Sequence, residues 1–300
     1  QQVWSESPAR FGTNIPHLGW ITANVNLEEG LARVTPAKID FVHVPKAPFR
    51  FLGSPEWSVD GKSVVLDMSQ GPSSTTTVMT MKPDGSDLRN LGLGFMPSFS
   101  PDGKQVVFSQ SGRSIATANA DGSDRKVFAT RGWGSKWSPD GKTIAYADGR
   151  NIVLADSKAK ETRNLLTDEQ SAELSYVYWN FGWSDDSQWI AFKQQARSGE
   201  QSIAIASVNS PNDHKVVYTG TAIYEDFDWH PDGTRILFSA TDPELKINRL
   251  YTVNRDGLSP PTPVPGQPRD WRIYDCDWSP DGHRILFAAS VPPVLKEWKP

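Results

Sequence analysis

The stretch Trp137-Ser138-Pro139-Asp140-Gly141-Lys142-Thr143-Ile144-Ala145-Tyr146 runs from an aromatic residue through a tight turn into a run of strand formers. In a Ser-Pro-Asp-Gly turn, Pro presets φ at the second position and the Ser and Asp side chains can bond nearby amides. Gly then takes the following position, where φ is often positive. The stretch therefore reads as a hairpin corner that feeds a strand. Further copies begin at Trp57, Phe99, Trp183, Trp229 and Trp278, and neighbouring copies lie 42, 38, 46, 46 and 49 residues apart. That is the period of one four-stranded propeller blade, roughly 40 to 50 residues.

The corner varies within limits. Ser100-Pro101-Asp102-Gly103 and Ser279-Pro280-Asp281-Gly282 are complete, His230 replaces the Ser in a third copy, Val59 replaces the Pro in a fourth, and Ser184-Asp185-Asp186-Ser187 is the most degenerate. A second series, Pro83-Asp84-Gly85, Ala120-Asp121-Gly122 and Arg255-Asp256-Gly257, lies out of phase with the first. Each repeat thus reads as strand a, corner, strand b, variable loop, strand c, Asp-Gly corner, strand d. The sixth repeat ends after strands a and b. Its outer strands are expected from the other end of the chain, with residues 39–44 and 49–52 as the c and d pair, so that the two termini close the ring.

The repeated Trp-Ser-Pro-Asp-Gly-Lys with its following strand, and the later Asp-Gly-Ser-Asp corner, resemble the PD40 (WD40-like) repeats of TolB-like six-bladed β-propellers. The likeness covers roughly residues 39–290. WD40 repeats proper fit less well, since no Trp-Asp dipeptide occurs. The expected architecture is an all-β six-bladed propeller, with seven blades as the alternative. Residues 1–38 are expected as an N-terminal extension packed on a single propeller domain of residues 39–300.

Twelve Trp and thirteen Phe supply large apolar wedges for the gaps between blades. A formal charge of −4 without a dense Lys/Arg stripe gives no footprint for nucleic acid. No apolar run approaches the roughly 20 residues that span a bilayer. The chain opens at Gln1 without a leader, as an exported mature form or a trimmed chain would, and the expected location is periplasmic or secreted. The single Cys276 cannot form an internal disulfide and, like the five His residues, reads as structural. No Gly-x-Ser-x-Gly elbow, His-Glu-x-x-His helix or phosphate loop is present.

One constellation stands out. Strand side chains alternate in direction, so the residue before each repeated aromatic should face the axial channel. That row is Glu56, Ser98, Lys136, Gly182, Asp228 and Asp277, and two residues earlier stand Ser54, Met96, Gly134, Asn180, Asp226 and Asp275. The acids Glu56, Asp226, Asp228, Asp275 and Asp277 fall on consecutive blades and form an expected wall, with Lys136 opposite Asp277. Crowded carboxylates repel unless a cation or hydrogen-bond donors compensate. Ca²⁺, which takes six to eight oxygens in flexible geometry, is the cation such a wall would hold, and the TolB resemblance points the same way. The alternative is a wall satisfied by water, Lys136 and backbone amides.

The variable loops share the face opposite the Pro-Asp-Gly corners. At their ends Tyr176, Tyr178, Trp179, Tyr224, Trp271, Arg272 and Tyr274 make a mixture typical of recognition surfaces, or else cap the blade core. Three functional readings follow. The first is a non-enzymatic, monomeric binding protein that holds a peptide, a protein partner or a glycan. The second is a polysaccharide lyase or hydrolase with the funnel carboxylates as acid and base. The third is a purely structural subunit.

Overall fold

The computed structural model describes residues 18–24, 39–42, 51–69, 75–220 and 223–290. The first strands are β1 (Leu18–Asn24) and β2 (Ile39–Val42). Five four-stranded sheets follow, each built from consecutive strands. The first contains β3 (Phe51–Trp57), β4 (Val64–Ser69), β5 (Thr77–Met81) and β6 (Arg89–Leu93). The second contains β7 (Phe95–Phe99), β8 (Gln105–Gln110), β9 (Ser114–Asn119) and β10 (Lys126–Ala129). The third contains β11 (Trp133–Trp137), β12 (Thr143–Asp148), β13 (Asn151–Asp156) and β14 (Thr162–Asn164). The fourth contains β15 (Leu174–Trp183), β16 (Trp189–Ala196), β17 (Gln201–Ser207) and β18 (His214–Thr219). The fifth contains β19 (Ile223–Trp229), β20 (Arg235–Thr241), β21 (Asn248–Asn254) and β22 (Thr262–Pro263). Last, β23 (Arg272–Trp278) and β24 (Arg284–Ser290) join the first two strands in a composite sheet of order β2-β1-β24-β23. The chain is an all-β propeller.

The corner behaves as its residues dictate. In five copies the Ser hydroxyl donates to the Asp two residues on, at 2.5 to 2.8 Å. The same carboxylate oxygen then accepts the next free main-chain N–H, as Lys104 N to Asp102 at 3.1 Å. These bonds hold Asp60, Asp102 and Asp281 below the usual carboxylate range. The turn glycines Gly61, Gly103, Gly141, Gly233 and Gly282 lie at φ of 66 to 70°, and in the degenerate copy Ser187 takes that place at φ 59°.

All six repeated aromatics are buried, between 1 and 9 % exposed, and the core is divided among the gaps between sheets. Val65, Val78 and Leu91 of the first sheet pack on Phe99, Val106 and Phe108 of the second. Equivalent clusters join second to third, third to fourth, fourth to fifth, fifth to composite, and composite back to first through Leu286 and Ala288. Each sheet is therefore wedged on both faces.

Two expectations are corrected. The outer pair of the closing sheet is residues 18–24 and 39–42 rather than 39–44 and 49–52: β1 pairs with β24 from Leu18↔Ser290 to Asn24↔Arg284, and β2 pairs with β1. Phe51 and Leu52 instead open the inner strand β3, paired with Ser69 and Met68. The boundary drawn between residues 38 and 39 accordingly falls inside the outer pair. A strand lacking a Pro-Asp-Gly corner carries no repeat signal, which is why Leu18–Asn24 went unread. Between the third and fourth sheets the chain also forms a short helix, α1 (Asp168–Ala172), opened by a capping box between Thr167 and Gln170.

Candidate functional site

Every inner strand breaks register with its neighbour at the same place, between Gly53 and Glu56, Phe95 and Ser98, Trp133 and Ser135, Val177 and Phe181, Ile223 and Phe227, and Ile273 and Cys276. Such a bulge bends the strand and turns main-chain groups out of the ladder. In the first three sheets it is made by a residue at positive φ, Ser54 at 47°, Met96 at 49° and Gly134 at 60°. Each inner strand is also the edge of its sheet, so alternate amides face away from the ladder, and a buried one must find another acceptor.

The preceding sheet supplies it. Asp277 Oδ2 accepts the Trp57 N–H at 2.8 Å, Glu56 Oε1 the Phe99 N–H at 2.8 Å, Ser98 Oγ the Trp137 N–H at 3.1 Å, and Asp228 Oδ2 the Trp278 N–H at 2.6 Å. Two residues earlier on the same strands, Asp226 Oδ2 accepts from Cys276 N at 2.5 Å and Asp275 Oδ2 from Ser54 N at 3.0 Å. The residue before the aromatic is thus a latch on the next sheet. All five expected wall acids occur in this role, and each spends one oxygen on a neighbour's backbone.

A second set of latches was not read from the sequence. It sits on strand b, ten residues after the repeated aromatic: Asp67 Oδ2 accepts from Met96 N at 2.9 Å and Ser109 Oγ from Gly134 N at 2.8 Å. At the same place Lys193 Nζ donates to Ile223 O at 2.9 Å and Ser239 Oγ to Ile273 O at 2.9 Å. The available signal was a polar residue recurring in an otherwise apolar strand.

Lys136 forms an ion pair with Glu56 at 3.5 Å, with side chains 22 % and 16 % exposed. Burial alone would lower the Lys136 ammonium, but Glu56, Asp226, Asp277 and Asp228 together outweigh it and hold the group charged. The expected proximity to Asp277 is therefore present, although the ion pair is to Glu56. Burial is also the main influence on the acids. It pushes Asp226 up to about 7, with Asp275 adding repulsion, and Asp228 up to about 7 against the pull of Lys136. Asp67 reaches about 7 through burial, opposed by its bond from Met96. Asp277 is raised by burial and by the charge of Asp228.

On the other side of the ring the latch position carries glycine. A Cβ on Gly134 would stand 2.0 Å from Trp179 O, and one on Gly182 would stand 2.7 Å from Phe227 O. Backbone meets backbone here, and Gly182 O accepts the Trp229 indole N–H at 3.1 Å. The remaining axial cleft is lined by residues of five inner strands, among them Glu56, Ser135, Lys136, Trp179, Asn180 and Asp226.

Trp179 links this cleft to the loop face. Tyr176, Tyr178 and Trp179 form one half-buried aromatic cluster at the start of β15, with ring centroids 5.1 to 6.1 Å apart. Lys193 Nζ lies 3.9 Å from the Tyr178 centroid. Tyr224 and Tyr274, on the two following inner strands, meet at 5.6 Å, and Tyr224 is 37 % exposed. Arg272 is exposed beside them and bonds Tyr274. Six of the seven expected rim residues therefore edge one mouth across three consecutive sheets. Trp271 is the correction: at 4 % exposure it packs in the core with Leu250, Val264 and Trp278, because its ring fills the gap between the fifth and composite sheets.

Among the described residues, no group of three or more His, Cys, Asp or Glu is arranged to hold an ion. Each wall acid instead gives one oxygen to the backbone of the next sheet.

No protein-family model matches the chain, and no curated protein matches it. Solved structures do. A protein described as TolB from Agrobacterium tumefaciens aligns at a TM-score of 0.66 with 18 % identity, over 92 % of this chain and 98 % of that one. TolB from Acinetobacter baumannii aligns at 0.60 with 17 % identity, over 91 % of this chain but 63 % of that one. A chain of a nidogen/laminin complex aligns at 0.62 with 14 % identity, over 87 % and 98 %. The structural neighbours thus include TolB propellers, and at these identities the shared property is the fold. No helix among the described residues is long and apolar enough to cross a membrane.

Proposed function

We propose that this chain is a non-enzymatic binding propeller acting outside the cytoplasm as a monomer, with a frame like that of TolB and a peptide or protein segment held on its loop face. The composite sheet is counted as a sixth blade, because it is wedged against both its neighbours as the other five sheets are. The carrying observation is the rim. Tyr176, Tyr178, Trp179, Tyr224, Tyr274 and Arg272 gather at one mouth, and Tyr, Trp and Arg are the side chains that dominate recognition energy. The acids below them are engaged in holding sheets together, which speaks against a carboxylate pair free for lyase or hydrolase chemistry. The likeness to a nidogen/laminin complex agrees with a protein partner.

Selection of peptides from a displayed library against the purified chain, followed by calorimetry, tests this reading. Tyr224→Ala is expected to weaken a selected peptide by about tenfold, the loss of roughly 1.4 kcal/mol, while leaving the denaturation midpoint unchanged. Undiminished affinity in Tyr224→Ala and in Tyr176→Ala would overturn it. Turnover on a polysaccharide panel, lost in Asp228→Asn, would establish the enzymatic reading instead.

A further inference from the structure

The gaps between sheets are not equally filled. Between the first and second sheets the Arg125 guanidinium stacks 4.6 Å from the Phe108 centroid and donates to Leu93 O. Between the third and fourth, Leu165 and Leu166 are buried and Arg163 donates to Val208 O at 2.7 Å. Between the fourth and fifth, Arg255 stacks 4.3 Å from the Trp189 ring, and Tyr218 and Tyr251 close on Phe238. In the gap between the second and third sheets Phe95 and Trp133 meet at 5.3 Å on the inner strands, but the outer part has no such plug. Phe128, Ala129 and Val153 are only partly buried there, and the gap opens outward as a groove of about 610 Å³.

Its floor is two registered rows on the face of the third sheet. Tyr146, Val153 and Asn164 stand side by side in one, and Ala155 and Thr162 in the other. The small side chains of Val153 and Ala155 occupy places where the first sheet carries Met79 and Met81, as the strand pairings show. At the mouth stands Arg131, 79 % exposed, which gives one bond to Asp148 at 3.1 Å. A guanidinium carries five donors in a planar fork suited to a carboxylate.

We propose that this groove is a binding site, separate from the loop-face rim, for a small organic anion with an aromatic or branched apolar body. The volume falls within the roughly 300 to 1,000 Å³ of small-ligand pockets, and the lining is mixed, with Thr130, Thr162 and Asn164 beside Phe128, Val153 and Ala155. The apolar body lies on Val153 and Ala155 against Phe128. The anionic group meets Arg131, and Asn164 and Thr162 offer an amide and a hydroxyl along the floor.

The test is calorimetric titration with 3-phenylpropionate, with its neutral amide, and with 8-anilino-1-naphthalenesulfonate. The acid is expected to bind saturably at one site and about tenfold more tightly than the amide. Arg131→Ala should remove that preference, and Asp148→Asn, which frees the guanidinium, should increase it. Val153→Trp fills the groove and should abolish binding. Thr162→Trp, on the exposed outermost strand, repeats the test if the first variant does not fold. Absence of saturable binding by both anions, binding that survives the filled groove, or a preference for the acid that persists in Arg131→Ala would each overturn the proposal.

Discussion

Two arcs of the ring solve one problem by opposite means. Where the fifth sheet meets the composite sheet, and the composite meets the first, the inner strands stand far enough apart for a carboxylate to reach across and take an amide, as Asp228 does with Trp278 and Asp277 with Trp57. From the third sheet to the fifth the strands close until only glycine fits, at Gly134 and Gly182. Side-chain latch and backbone contact occupy equivalent positions, which marks the acids as part of the joinery of the propeller. A wall of carboxylates in a channel invites a chemical reading. Seen beside its glycine counterpart, it is a set of acceptors for amides on the free edges of the inner strands.

The sharpest break in this comparison is Gly134→Ala. Its Cβ would meet the Trp179 carbonyl carbon and oxygen at a backbone φ of +60°, so relief requires moving β15. A loss on the order of 4 kcal/mol or more is expected in chemical denaturation, and a mild effect would show that the glycine arc is loosely packed.

The latch arc responds next. Asp277→Ala leaves the buried Trp57 N–H without its acceptor, whereas Asp277→Asn keeps an oxygen for it. The Ala variant should be less stable than the Asn variant by about 1 to 3 kcal/mol. Equal midpoints would remove the latch reading for that residue.

Asp67 sharpens the comparison through pH. Its folded-state pKa of about 7 lies above the ordinary 3.8, so between those values the folded chain holds a proton that the unfolded chain has released. Stability from this group therefore falls as pH rises through that window. Asp67→Asn retains an acceptor for Met96 and should flatten the decline, gaining up to a few kcal/mol at pH 8 relative to pH 5. The corner aspartates work in the opposite sense, since their lowered pKa values contribute stability that is lost in acid. An unchanged pH profile in Asp67→Asn would count against its burial as a charged latch.

The smallest expected effect is that of calcium. Excess Ca²⁺ against chelator should leave the thermal midpoint where it is, since a site at 100 times its dissociation constant would add about 2.7 kcal/mol. A rise abolished by Asp228→Asn would restore the wall as a cation site.

How far the site could be read from the sequence follows from these contacts. Spacing from the repeated aromatic found Glu56, Asp228 and Asp277, because repeats impose equivalent positions. It could not find their partners, since the Trp57 and Trp278 amides lie on the free edge of an inner strand and bond a different repeat. Asp67 and Lys193 were missed because strand b reads as apolar core. Tyr224 and Trp271 look alike in sequence, yet one edges the mouth and the other fills a gap, a distinction made by the twist of neighbouring sheets.

The sequence by itself determined the repeat, the corners with their positive-φ glycines, the strands, and hence a propeller, because each of these rests on interactions a few residues apart. Only the tertiary structure decided which strands close the ring, what the buried acids bond to, and which gap stays open. Those outcomes depend on groups far apart in the chain, such as Glu56 with Phe99, Asp277 with Trp57 and Leu18 with Ser290. No local pattern records the distance between two blades.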